Sequence, residues 1–245
     1  MKISDNTILI TGGTSGIGLG FAEEFQKLGN KVIICGRRTE RLNELSKKYP
    51  GLIVRKCDVS SRDDRESFAE WAIKNYPEIN ILINNAGVQL ASGFLQGIDI
   101  TKVETEIATN LTAPIHLCSL FTKHLAQKSD AAIINISSGL AFVPLAFMPI
   151  YCATKAAIHS FCLSLRFQLK DTSVKVFEIA PPSVDTELGH DRGTDRTQSH
   201  GGISVSEFLT EAMEGIKNDT FEVCVGSAKN LREKNEKFFL TLNQR

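Results

Sequence analysis

A tyrosine and a lysine stand four residues apart, at Tyr151 and Lys155, in a stretch whose apolar spacing predicts a helix to about Leu169. Residues at this spacing project from the same face of a helix, so the two side chains can meet. A tyrosine hydroxyl has a pKa of about 10, too high for a base near neutrality, and a nearby ammonium group lowers it. The pair therefore has the composition of an acid–base site. An amphipathic helix with a solvated lysine explains the same spacing, so the choice depends on the rest of the chain.

A glycine-rich run, Gly12–Gly18, follows the short apolar run Thr7–Ile10 and precedes a helical pattern over residues 19–28. Glycines let a backbone approach a pyrophosphate closely, and the unpaired N–H groups at a helix N-terminus bind it. The order of strand, glycine turn and helix therefore favours nucleotide binding, although glycines that only form a turn are the alternative. Leu19 stands where a phosphate-loop NTPase needs lysine, which disfavours that class.

Two arginines, Arg37 and Arg38, follow the second apolar run, Lys31–Cys35, and its turn at Gly36. NAD sites usually place a carboxylate near this position to accept from the ribose 2′-hydroxyl, whereas arginine accommodates a 2′-phosphate. The missing carboxylate and the paired arginines indicate NADP(H) rather than NAD(H). Arginines that are merely solvated at the start of the next helix remain the alternative.

Polar or small residues also follow the next two apolar runs. Asp58, which ends the third run together with Val59, either accepts a hydrogen bond from an adenine amino group or caps the helix that starts near Ser61. The run Asn84–Gly87 follows the fourth. Amides and small residues at the carboxyl end of a strand suit the crevice in which open α/β sheets bind ligands.

Apolar runs alternate with helical patterns along the whole chain, which is the signature of a parallel, doubly wound sheet. We predict a Rossmann-type α/β fold of about seven strands with helices on both faces, in a single domain over residues 1–245. The predicted strands are Thr7–Ile10, Lys31–Cys35, Leu52–Cys57, Ile81–Ile83, Ala131–Ile136, Val174–Ile179 and Phe221–Val225. The predicted helices include a long one near Thr101–Gln127, one over Val205–Ile216 and a charged C-terminal extension over 229–245, helical from Lys229 to Leu242. Asn110, amid apolar residues of the long helix, indicates either a kink or a buried amide paired with the backbone.

Composition narrows the class of protein further. The 28 basic residues balance the 28 acidic ones, so no global field favours nucleic acid or a membrane surface. The six cysteines form no zinc-ligand spacing, and we expect free thiols in a reducing compartment and no metal site. The N-terminus is too short and polar for a signal peptide, and no apolar run approaches a membrane span. We therefore expect a cytoplasmic protein.

Taken together, these motifs resemble the short-chain dehydrogenases/reductases in order and distance over about residues 5 to 226. The motifs are Thr11-Gly12-x-x-x-Gly16-x-Gly18, Asn84-Asn85-Ala86-Gly87, Asn110, Ser138 and Tyr151-x-x-x-Lys155. Within that family the chain is most similar to the branch of oxidoreductases associated with lipoteichoic-acid D-alanylation loci. The family usually has Pro-Gly after the sixth strand, and this chain has Pro181-Pro182, so the turn beside the nicotinamide is expected to differ.

The resemblance implies an NADP(H)-dependent carbonyl reductase or alcohol dehydrogenase acting on a small, partly apolar substrate. Tyr151 would exchange a proton with the substrate oxygen and Ser138 would hydrogen-bond it. Lys155 would lower the tyrosine pKa and hold the nicotinamide ribose, and Asn110 would anchor a water relay. The residues expected to bind the cofactor are Gly12, Thr14, Ser15, Gly16, Ile17, Gly18, Arg37, Arg38, Asp58, Val59, Asn85, Ala86, Gly87, Tyr151, Lys155, Pro181, Val184 and Thr186.

We expect the substrate pocket to be largely apolar and closed by segment 187–204 as a lid. Its lining would comprise Gln89, Leu90, Leu140, Phe142, Val143 and Phe147, although core packing explains each residue as well. His190, Arg192, Arg196 and His200 would meet an anionic substrate or simply be solvated.

The resembled family often forms homodimers or homotetramers through two long helices, here around residues 113–127 and 152–169. A nucleotide-binding regulator without turnover is the competing class. The presence of Asn110, Ser138, Tyr151 and Lys155 together argues against it, because a sensor needs only the glycine turn and the arginines. A structural partner protein, the third class, would bind no nucleotide.

Overall fold

The computed structural model of the protein describes residues 1–188 and 201–244. These residues form one seven-stranded sheet in which every neighbouring pair of strands is parallel, in the order β3-β2-β1-β4-β5-β6-β7. The predicted Rossmann-type fold is therefore confirmed. The strands are β1 Thr7–Thr11, β2 Lys31–Gly36, β3 Ile53–Lys56, β4 Ile81–Asn84, β5 Ala131–Ile136, β6 Val174–Ala180 and β7 Glu222–Cys224.

Helices cover both faces of this sheet. In the described part of the chain the α-helices are α1 Gly16–Lys27, α2 Thr39–Lys48, α3 Arg62–Asn75, α4 Ile100–Ile107, α5 Ala113–Leu125, α6 Pro149–Gln168, α7 Val205–Lys217, α8 Ala228–Lys234 and α9 Phe239–Asn243. Within those same residues, no helix combines the length and apolar character needed to cross a membrane.

Alternate residues of each central strand enter two different cores, as the two-residue period of a strand requires. Ile8 and Ile10 of β1 pack with side chains of α1, α2 and α7, whereas Leu9 packs with side chains of α3, α5 and α6. Both faces of the central strands are therefore buried, which explains their nearly uninterrupted apolar sequences. The strand order reverses between β1 and β4, which is where a doubly wound sheet opens a ligand crevice at its carboxyl edge.

Two predicted helices are broken in the structure. The segment predicted as one helix over Thr101–Gln127 consists of α4, a π-helical turn at Ala108–Thr112, and α5. The C-terminal segment predicted as one helix over Lys229–Leu242 consists of α8, a 3-10 turn at Asn235–Phe238, and α9. Asn235 has a φ of 46°, a left-handed conformation that ends α8. The start of α1, at Gly16, lies three residues before the predicted one, and the other boundaries agree with the predicted ones to within two residues.

Candidate active site

A cleft of about 320 Å³ opens at the carboxyl edge of the sheet, beside the point where the strand order reverses. It brings together the glycine turn, the two arginines and the acid–base pair, which are far apart in sequence. All the predicted site residues line the cleft except Gly18 and Asn110, which lie behind its wall. Besides the predicted catalytic and cofactor-binding residues, the lining includes Cys57, Val88, Thr109, Ile136, Pro182, Glu187 and Leu188.

The glycine turn is held against the segment that follows β4. Asn85 donates from Nδ2 to the carbonyl oxygens of Thr11 and Gly12 at 3.0 and 3.1 Å, and Thr11 Oγ1 accepts from the Asn85 and Ala86 amides. Ser15 precedes α1 without capping it by its side chain, and Gly16 and Ile17 of the first turn line the cleft. Such a helix start suits a phosphate group.

Gly18 is required by this packing rather than by its backbone conformation. A Cβ atom at Gly18 would lie 2.3 Å from Asn85 Nδ2 and 2.4 Å from the Gly12 carbonyl oxygen. We expect Gly18→Ala to destabilise the fold by about 1–3 kcal/mol, because neither neighbour can move without breaking the turn. The same variant should lose affinity for NADPH, which a fluorescence titration would measure beside thermal unfolding.

Gly29→Ala is the matched control for that substitution. Gly29 has a φ of 81°, and a Cβ there would meet nothing within 4 Å. Its cost is therefore backbone strain alone, about 1–2 kcal/mol, with NADPH affinity unchanged. Equal NADPH affinity in the Gly18 and Gly29 variants would contradict the role given to Gly18.

The two arginines have different surroundings. Arg38 donates to Thr14 Oγ1 at 2.9 Å and Ser15 Oγ at 2.8 Å, and it pairs with the Glu187 carboxylate at 2.6 Å. Arg37 lines the same part of the cleft, is exposed, and makes no side-chain hydrogen bond or ion pair to any described residue. Arg38 therefore supports the glycine turn as well as facing the cleft, whereas the charge of Arg37 is uncompensated locally.

Asp58 lies in the lining of the cleft and does not cap the following helix. Ser61 caps α3, accepting from the Asp64 amide, while Asp58 accepts from the amide and hydroxyl of Ser60. The capping alternative for Asp58 is therefore wrong, because the serine next to the helix occupies the N-cap position. Its predicted contact with adenine stays a prediction.

Tyr151, Ser138 and Lys155 meet at the inner end of the cleft. Pro149 begins α6, so Tyr151 lies in its first turn with its side chain buried, and the Ser138 hydroxyl is close enough to influence its ionisation. Lys155 is also buried and donates from Nζ to the Ile136 carbonyl oxygen at 2.8 Å. The lysine Nζ lies 5.6 Å from the centre of the tyrosine ring. The structure thus places a phenol, a hydroxyl and an amine at one end of the cleft.

Burial dominates the ionisation of this group. It raises the pKa of Tyr151 well above the usual value for tyrosine, and the Ser138 side chain acts in the opposite direction. Burial also lowers the pKa of Lys155 to about 8. Lys155 is not among the groups that lower the tyrosine pKa here, so that role remains a prediction.

Asn110 lies in the π-helical turn and holds the wall of the cleft from behind. Its Oδ1 accepts from the Val88 amide at 2.9 Å, and its Nδ2 donates to the Val88 carbonyl at 2.8 Å and to Thr154 Oγ1 at 3.3 Å. Both sequence interpretations of Asn110 therefore hold, since the helix is interrupted and the buried amide pairs with backbone. π-Helical turns are frequent at functional sites.

Part of the predicted substrate lining is wrong. Phe142 and Val143 are buried in a small core with Ala180 and the C-terminal residues Leu231 and Phe238, and neither lines the cleft. Of the six predicted lining residues, Gln89 alone is in the described lining. The lid was predicted over 187–204, and its residues His190, Arg192, Arg196 and His200 lie outside the described residues.

The second proline of Pro181-Pro182 lines the cleft together with the first, and the Pro181 carbonyl accepts from the Gly139 amide at 2.8 Å. The turn after β6 therefore joins the segment that carries Ser138. The departure from the usual Pro-Gly leaves both prolines at the cleft wall.

A buried charge network lies beneath this segment. Glu178 is fully buried and accepts from Ser137 Oγ at 2.5 Å, and its other oxygen lies 2.8 Å from His159 Nδ1. His159, Glu178 and Glu222 offer ligand atoms within 4.8 Å of one another. Arg232 already pairs with Glu222, so each carboxylate has a partner within the protein. The prediction that no metal binds stays a prediction.

The fold and the cleft together define the class of protein, which is a doubly wound, nucleotide-binding α/β protein with a buried Ser–Tyr–Lys group. The family model described as short chain dehydrogenase matches residues 6–197. The chain belongs to this family of oxidoreductases and, within it, to the DltE-like branch.

Three similar proteins illustrate this membership. The uncharacterized oxidoreductase DltE of Bacillus subtilis (strain 168) is 47% identical over 234 residues, covering 95% of this chain and 93% of that protein. The NADP-dependent 3-hydroxy acid dehydrogenase YdfG of Shigella flexneri is 32% identical, covering 84% of this chain and 86% of its own length. A short-chain dehydrogenase from Sphingobium yanoikuyae in complex with NADPH is 30% identical with a TM-score of 0.80, covering 90% and 87% of the two chains.

Proposed function

We propose that this protein is an NADP(H)-dependent carbonyl reductase or alcohol dehydrogenase acting on a small, partly apolar substrate. The observation that carries the proposal is a single cleft lined by the glycine turn, the two arginines and Ser138, Tyr151 and Lys155. The nicotinamide cofactor supplies the hydride when it is bound. The tasks left to the protein are to bind the cofactor, to orient the substrate and to move a proton.

The residues of the cleft fit such a cofactor. The α1 N-terminus, which lacks a side-chain cap, and the close packing around Gly12 suit a pyrophosphate, and Arg37 and Arg38 suit a 2′-phosphate. Asp58 and Val59 would contact the adenine, and Lys155 the nicotinamide ribose. The NADP-dependent relative YdfG and the NADPH-bound Sphingobium structure support the preference for NADP(H) over NAD(H).

Tyr151 is the general acid of this proposal. Because its hydroxyl is buried and its pKa is raised, it is protonated near neutrality and can donate to a carbonyl oxygen. Ser138 would hydrogen-bond the same oxygen and stabilise developing negative charge. Lys155, with a pKa near 8, would supply a proton or a positive charge behind the tyrosine.

A nucleotide-binding regulator on the same fold is the alternative and is not favoured. A sensor gains nothing from three buried ionisable or hydroxyl groups at the inner end of its cleft, because burying them costs free energy. The Ser–Tyr–Lys group is therefore better explained by turnover.

A screen of NADPH oxidation over aldehydes, ketones, quinones and 3-oxo acids tests the proposal. The 3-oxo acids are included because YdfG acts on 3-hydroxy acids. We expect turnover with NADPH on at least one of these classes and slower turnover with NADH. NADPH binding without oxidation in any class, and without dehydrogenation of the matching alcohols, would favour the regulator instead.

The proposal includes a cytoplasmic homodimer or homotetramer formed through α5 and α6. Ile115 on α5 and Leu163 and Phe167 on α6 are large apolar side chains with 38%, 47% and 70% of their surface exposed. We expect Phe167→Asp to shift the protein to a smaller species in light scattering, because the charge would be desolvated at the interface. Leu240→Asp, at an equally exposed position on α9, is the control, and equal masses for both variants would argue against this interface.

A further inference from the structure

The segment between β4 and α4 forms a wall of the cleft although most of it has no regular structure. Residues 85–93 are neither helix nor strand, so their position depends on individual contacts. After Asn85, which bonds to the glycine turn, the amides of four alternate residues make such contacts: Ala86 bonds to Thr11, Val88 to Asn110, Leu90 to Glu106 and Ser92 to the Phe147 carbonyl. Gln89 lies between two of these anchors and lines the cleft.

Glu106 is the one ionisable side chain among these four anchors. Its Oε1 accepts from the Leu90 amide at 3.1 Å, and only 1% of the residue is exposed. Its Oε2 is buried and has no hydrogen-bond partner among the described residues. Burying a carboxyl group with an unpartnered oxygen costs folding free energy, and an apolar side chain of the same size would avoid that cost. The carboxyl group of Glu106 is therefore explained by its bond to the Leu90 amide and by its charge.

We propose, on the basis of the proposed function, that Glu106 is a positioning residue that holds the Val88–Leu90 wall beside the Tyr151–Lys155 pair and acts on that pair through its charge. Asn110 fixes Val88 through both the amide and the carbonyl of Val88, whereas among the described residues Leu90 is held only through its amide, by Glu106. Gln89 lies between Val88 and Leu90, so its position in the cleft depends on Asn110 through Val88 and on Glu106 through Leu90. Loss of this anchor would misplace the wall against which the substrate is oriented.

The charge of Glu106 acts on three groups of α6. Burial is the main cause of the pKa shifts of Tyr151, Lys155 and Cys152, and the negative charge of Glu106 acts to raise the pKa of all three. Burial raises the pKa of Glu106 itself, and the Leu90 amide and Lys155 act in the opposite direction. Removal of that charge should lower the pKa of both Tyr151 and Lys155. The pH profile of turnover would then move to lower pH.

Two variants separate the anchor from the charge. Glu106→Gln keeps an oxygen that accepts from the Leu90 amide and removes the charge, whereas Glu106→Leu removes both. We expect Glu106→Gln to keep the wild-type KM while its kcat/KM profile, measured between about pH 6 and 10, moves to lower pH. We expect Glu106→Leu to raise KM on the order of tenfold. Glu104→Leu, at an exposed position of α4, is the matched control and should change neither quantity.

Amide hydrogen exchange of the peptide covering 88–92 supplies a readout that needs no substrate. Exchange should quicken in Glu106→Leu and stay at the wild-type rate in Glu106→Gln. Wild-type exchange in both variants, or an unshifted pH profile with Glu106→Gln, would overturn the proposal. Absence of turnover in the wild-type protein would instead refute the proposed function, and the exchange result would still decide whether Glu106 holds the wall.

Discussion

Replacement of Tyr151 by phenylalanine is expected to lower carbonyl reduction by about 10²- to 10⁴-fold, the range in which a positioned proton donor contributes. The phenyl ring keeps the packing in the first turn of α6, and only the hydroxyl that meets Ser138 is lost. NADPH affinity should stay close to that of the wild type, because most of the cofactor contacts are predicted elsewhere in the cleft. Steady-state kinetics and a fluorescence titration with NADPH measure the two quantities separately.

Tyr76→Phe is the matched control for this substitution. Tyr76 follows α3 and packs edge-on against Trp71, and no hydrogen bond of its hydroxyl is observed among the described residues. Removal of the Tyr76 hydroxyl group should therefore leave turnover unchanged. If Tyr151→Phe and Tyr76→Phe turned over equally fast, Tyr151 would not be the proton donor.

The architecture was predictable because it depends on local patterns. Strands buried on both faces have uninterrupted apolar sequences, and the glycine run has a strand before it and a helix after it. The acid–base pair was predictable for a similar reason, since four residues on one helix fix the relative position of Tyr151 and Lys155. The strand order and the cleft follow from these elements and from the family resemblance.

Contacts between distant segments were not predictable from local pattern. The break between α4 and α5 accompanies the bonds of Asn110 to Val88 and Thr154, 22 and 44 residues away in sequence. Phe142 was predicted to line the substrate pocket, and this prediction was wrong because Phe142 packs against residues near the C-terminus that lie far from it in sequence. The contact between Glu106 and Leu90 was not predictable either, because nothing near Glu106 in sequence shows that the two residues meet.

Substitution of the cleft arginines is expected to have the second large effect, which is on the preference for NADPH over NADH. Arg37→Asp should weaken NADPH binding about 10- to 100-fold, the equivalent of one or two charge-assisted hydrogen bonds, and leave NADH binding nearly unchanged. Only NADPH carries the 2′-phosphate that an aspartate at this position would repel. Dissociation constants for both cofactors, measured on the same preparation, give the ratio that decides the matter.

Arg38→Asp should behave differently from Arg37→Asp because Arg38 also donates to Thr14 and Ser15 in the glycine turn. We expect it to weaken NADPH and NADH together, with a further loss specific to NADPH. Arg62→Asp, which makes the same change in charge at an exposed position of α3, should affect neither cofactor. Should Arg37→Asp weaken both cofactors by the same factor, the 2′-phosphate would have to be bound elsewhere, and the preference for NADP(H) would lose its structural basis.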